Sequence, residues 1–122
     1  MSLVMMIFGF LTVILLIVNI LIARKIIKVN FIWHKRIAYL ILLTGVTHFI
    51  LILLYYGSDI LSVIYLVIGG VVTYTLLILQ ILIGKNIIKS GIKTHRILGY
   101  VVLFFAVNHG VFAMLYKYDI IH

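Results

Sequence analysis

The residues of this chain best equipped for chemistry are four histidines, His34, His48, His95 and His109, placed in or at the edge of long apolar segments. His34 and His48 are 14 residues apart (48 − 34), and His95 and His109 repeat the interval (109 − 95 = 14). On an α-helix fourteen steps amount to four turns less about 40°, so both rings leave their helix on nearly one face, roughly 21 Å apart along the axis. An ionisable side chain inside a membrane helix is costly and marks a functional site by default. Neutral imidazole adds no charge to lipid and binds metals through a ring nitrogen, so metal ligation is the chemistry this pattern suits. His122, at the C-terminus and outside the spacing, reads as a solvated terminal residue.

The elements that position these residues read as membrane helices. Of the 122 residues, 66 % are hydrophobic and only two are acidic, far from the composition of soluble domains, where about half the residues are apolar. Residues 3–23, 37–56, 60–84 and 97–116 each meet the need of a membrane span for roughly 20 mostly apolar residues. The first stretch lacks a basic leader and a small-residue cleavage site before Arg24, so it reads as a helix and not as a signal peptide.

Shifting the chain by 61 residues (95 − 34) superposes it on itself without gaps. His34 falls on His95, His48 on His109, Tyr39 on Tyr100, Tyr55 on Tyr116, and Asn19 on Gln80. The predicted fold is therefore all-α: an integral membrane up-down four-helix bundle built from a duplicated helical hairpin. It forms a single domain over residues 1–122, with repeat 1 at about 1–58 and repeat 2 at about 62–119. Two helices per repeat bring both repeats into the membrane with one orientation, so the second and fourth helices run parallel. His34 then shares a depth with His95, and His48 with His109.

Two facing imidazole pairs suit a planar macrocycle ligated axially from each side, as in a bis-histidine haem. At offsets of 4 and 11 from the first histidine of each pair stand Ala38 and Gly45, and Gly99 and Ala106. They deviate from its direction by only about 40° and 20°, which leaves room for a porphyrin face between the ligands. Lys35, Arg36 and Arg96, with Arg24 and Lys85 nearby, supply cations for propionates or simply signal topology. Asn19 and Gln80 are placed to hydrogen-bond a propionate or an imidazole N–H, or one another's helices. Thr44, Thr47 and Asn108 orient a ring or satisfy carbonyls of their own helix. Gly69-Gly70 reads as a site of close helix contact.

Charge and cysteine content narrow the function. The net charge is +8, but nine of the ten basic residues flank the first and third connections, while Asp59, Asp119 and Lys117 lie at the other side. The positive-inside rule accounts for this without nucleic acid, and predicts a cytoplasmic-membrane protein with basic loops in the cytoplasm and both termini outside. With no cysteine, the chain provides no disulfide, no thiolate-bound zinc and no ligand for an iron–sulfur cluster.

The two motifs His34-x13-His48 and His95-x13-His109, with their interleaved small residues, resemble those of transmembrane di-haem b cytochromes. These include the cytochrome b core of quinol-oxidising complexes, ferric reductase-like membrane domains and, more loosely, cytochrome b561-like proteins. The resemblance covers the second and fourth helices. It implies two haems b, one on His34 and His95 and one on His48 and His109. Electrons would pass across the bilayer between a quinone or quinol-type carrier and a redox partner protein. The chain lacks the flavin, nicotinamide and iron–sulfur domains of the larger families, so whether it is an enzyme, an electron carrier or a subunit is open. A homo-oligomer is compatible with this reading. The alternatives are a histidine-lined copper or zinc transport protein and a haem-bearing membrane anchor of a larger redox complex.

Overall fold

The computed structural model describes residues 1–120, so His122 lies outside the described residues. These residues form four α-helices: α1 (Leu3–Ala23), α2 (Ile32–Tyr56), α3 (Ile64–Gly84) and α4 (Gly91–Lys117). A short 3-10 helix, Gly57–Val63, joins α2 to α3. Leu3–Ala23, Gly91–Lys117 and the continuous helical stretch Ile32–Gly84 are long and apolar enough to cross a membrane.

Helix bounds differ from the apolar stretches in an instructive way. α2 starts at Ile32, where the Asn30 Oδ1 accepts from the Ile32 N–H at 3.0 Å, five residues before the hydropathy rises. α4 likewise starts at Gly91. Both extra segments carry cations and polar residues that hydropathy excludes but that a helix accepts where it leaves an apolar layer. As a result His34 and His95 are helical. Residues 60–63, expected as α-helix, belong to the 3-10 segment.

The chain divides into two compact units, Met1–Ser62 and Val63–His122. In the first α1 packs on α2, and in the second α3 packs on α4. The units repeat one another closely. The turn after α1 has the Arg24 N–H on the Ile20 carbonyl, Lys25 on Ile22 and Ile26 on Leu21, at 2.9, 3.0 and 2.9 Å. After α3 the same bonds join Lys85 to Ile81, Asn86 to Ile83 and Ile87 to Leu82, at 2.9, 3.0 and 3.0 Å. This closure needs a left-handed residue just past the helix, and Lys25 (φ 58°) and Asn86 (φ 59°) take that place.

Buried positions repeat as well: Leu16 with Leu77, Ile22 with Ile83 and Ile41 with Val102. Each unit thus has a single seam of core residues between two helices. The outer faces are Leu, Ile, Val and Phe, among them Leu3, Ile14, Leu43 and Leu54 in the first unit and Ile68, Phe104 and Phe112 in the second. A helix apolar all round is covered by lipid or by protein. The exposed faces are compatible with a membrane setting.

Candidate functional site

All four histidines lie on the second helix of their unit and turn toward the first. In unit 1 the Nδ1–H of His48 donates to the Met5 carbonyl at 2.8 Å, and that of His34 to the Asn19 carbonyl at 3.3 Å. In unit 2 the Nδ1–H of His95 donates to the Gln80 carbonyl at 2.9 Å. A carbonyl only accepts, so each of these bonds places the proton on Nδ1. The Nε2 then carries the lone pair, which is the form of imidazole that ligates a metal ion, haem iron included. The contacts run from the start of α2 to the end of α1 and from mid-α2 to the start of α1, as antiparallel helices require.

Glycines make the approach feasible. A Cβ on Gly9 would stand 3.0 Å from the Cε1 of His48, and one on Gly84 would stand 2.7 Å from the Cε1 of His95. The His109 ring rests against Gly69 and Gly70, with a Cβ on Gly70 only 3.3 Å from its Cε1. Gly69-Gly70 therefore seats a histidine, beyond the helix contact expected from the sequence. No motif in the sequence assigns a role to Gly9 or Gly84. The signal that points to Gly9 is its coincidence with Gly70 under the 61-residue shift (70 − 9 = 61).

The imidazole N–H reaches the main-chain carbonyl of Asn19 and Gln80, whereas the sequence reading gives that role to their side-chain amides. A main-chain carbonyl on a helix keeps a second lone pair that an imidazole N–H from the facing helix can use. The Gln80 carboxamide instead lies over Gly99, where a Cβ would be 2.6 Å from its Nε2. Asn19 is buried, and its Oδ1 has no hydrogen-bond partner.

The remaining candidates divide by exposure. Gly99 and Ala106 are buried in their own hairpin, and Ala38 and Gly45 are half-buried. Lys35, Arg36 and Arg96 are exposed, and the Arg36 guanidinium stacks 5.2 Å from the centre of the Trp33 ring. Thr47 and Asn108 donate to the carbonyls of Leu43 and Phe104 on their own helices, each at 2.8 Å. Thr44 donates to Ile41 at 3.1 Å and meets the Thr12 hydroxyl at 2.9 Å, a polar tie between α1 and α2. Among the described residues no three His, Cys, Asp or Glu side chains form a group that could hold a metal ion.

No protein-family model, no curated protein and no solved structure matches the chain.

Proposed function

We propose that this chain is an integral membrane electron-transfer cytochrome, a four-helix bundle of two equivalent hairpins that holds two haems b through His34 with His95 and His48 with His109. The observation that carries the reading is the state of the imidazoles. Three of them donate Nδ1–H to a main-chain carbonyl of the neighbouring helix, the tautomer in which a neutral imidazole ligates a metal through Nε2. Their repeat positions supply the second ligand at each of two depths. When bound, haem at the two depths supplies a pair of one-electron redox centres spanning the bilayer.

The chain's own residues do the rest. The carbonyls of Met5, Asn19 and Gln80 hold the rings in one tautomer and one orientation. Lys35, Arg36 and Arg96, close in sequence to His34 and His95, are exposed cations suited to propionate carboxylates. Ala38 and Gly45, half-buried on α2, add no bulk between His34 and His48, whereas Gly99 and Ala106 are covered within their own hairpin, Gly99 by the Gln80 carboxamide. The basic connections face the cytoplasm with both termini outside, and the redox partners are a quinol-type carrier in the lipid or a docked protein.

The test is an absorption spectrum of the detergent-purified protein, oxidised and dithionite-reduced, with pyridine haemochrome quantified against protein. Sharp reduced α and β bands with two haems b per chain are the expected result. A colourless protein carrying copper or zinc overturns it in favour of histidine-lined metal transport.

A further inference from the structure

One residue varies among the histidine contacts in step with their length. The Nδ1 to carbonyl distances are 2.8 Å for His48 and 2.9 Å for His95, but 3.3 Å for His34. Along a helix, each acceptor carbonyl also receives the N–H of the residue four positions later, so the α-carbon of that residue lies beside the incoming ring. Counting four from Met5, Gln80 and Asn19 gives Gly9, Gly84 and Ala23. The two short bonds go with glycine and the long one with alanine.

The space left at the glycines accounts for the difference. A Cβ on Gly9 would come within 3.0 Å of Cε1 and 3.3 Å of Nδ1 of His48, and one on Gly84 within 2.7 Å and 2.9 Å of the same atoms of His95. A ring cannot keep its short bond against a methyl group at those distances; it must back away by a few tenths of an ångström. Gly70, the repeat of Gly9, also lies against a ring, with a Cβ there 3.3 Å from the Cε1 of His109 and one on Gly69 3.4 Å from its Nδ1.

We infer that the residue four positions beyond the acceptor carbonyl is the positioning residue for the imidazoles of His48, His95 and His34: Gly9 and Gly84 let the ring close on the neighbouring helix, and Ala23 holds the His34 ring off. The closed ring keeps its proton on Nδ1 and strengthens donation from Nε2. The consequence at a metal, which rests on the haem-ligand reading, is that His95 is the firmly oriented ligand of its level and His34 the loosely held one. Phe31 is the other neighbour that distinguishes the hairpins. It stacks on His34 with ring centres 5.0 Å apart, and Ile92 occupies its repeat position.

The test uses the full chain in lipid bilayers with 15N-labelled histidine, reduced so that any low-spin haem iron is diamagnetic. Signals are assigned with His34→Gln and His95→Gln. Ala23→Gly is expected to move the His34 Nδ1–H proton downfield, toward the position of His95. Gly84→Ala is expected to move the His95 proton upfield and to weaken haem retention at that level roughly 10-fold or more. Gly110→Ala, where a Cβ meets nothing within 4 Å, leaves both signals in place. Ala23→Gly only removes atoms, so it decides the matter even if Gly84→Ala fails to fold. Signals unmoved by Ala23→Gly, or a His34 shift produced instead by Phe31→Ala, overturn the inference. A wild-type chain without haem sinks the haem reading, while the Nδ1–H shifts still judge the seats.

Discussion

The imidazole of His48 lies on Gly9, so close that a Cβ there would stand 3.0 Å from its Cε1, while its Nδ1–H donates to the Met5 carbonyl one turn back. Ring, glycine and carbonyl form one contact between α1 and α2. Gly9→Ala is expected to destabilise the protein by about 1 kcal/mol, overpacking of about 1–3 kcal/mol being partly offset by better helix propensity. Gly110→Ala, which meets open space, is expected to be neutral or to stabilise by about 0.5–1 kcal/mol. Reversible unfolding in mixed micelles distinguishes the two.

Replacing one histidine at a time separates the proposed levels. His48→Ala or His109→Ala is expected to halve the haem measured by pyridine haemochrome and to leave the His34 and His95 level loaded. A double replacement, His48→Ala with His109→Ala, that loses no haem refutes the ligand assignment.

Thr12 and Thr44 make the polar tie across the first hairpin at 2.9 Å. Its repeat positions are Thr73 and Phe105, so the second hairpin lacks it. A double-mutant cycle between Thr12→Ala and Thr44→Ala is expected to give a coupling of about 0.6 kcal/mol, typical of interhelical hydrogen bonds in membranes. Zero coupling in the unfolding data means that each hydroxyl serves only its own helix.

Lys25 and Asn86 hold the left-handed position that ends α1 and α3. A lysine is poorly suited to it, because its Cβ crowds the following carbonyl, whereas asparagine adopts it routinely. Lys25→Gly is expected to stabilise the first hairpin by about 1 kcal/mol, and Asn86→Gly the second by less. Equal effects on unfolding free energy count against this account of the turns.

The absence of cysteine makes orientation simple to test. In intact cells Ser58→Cys is expected to react with a membrane-impermeant maleimide, and Lys28→Cys only after the membrane is opened. The reverse pattern places the basic loops outside.

Hydropathy alone makes the helical class and the approximate spans legible, because apolar runs of that length have few other uses. The 61-residue shift makes the two-hairpin plan legible, since the same residues at the same offsets build the same turns, down to matching bonds after Ile22 and Ile83. The 14-residue intervals single out the histidines as candidate ligands. Helix starts at Ile32 and Gly91 escape the same reading, because charged residues at a membrane edge look like loop to any measure of hydropathy. The partners of the imidazole N–H also escape it. They are main-chain carbonyls, which every residue carries, so no side-chain pattern marks them. Gly9, Gly70 and Gly84 acquire meaning only when α1 lies against α2 and α3 against α4, because a missing Cβ matters only where another side chain fills its place.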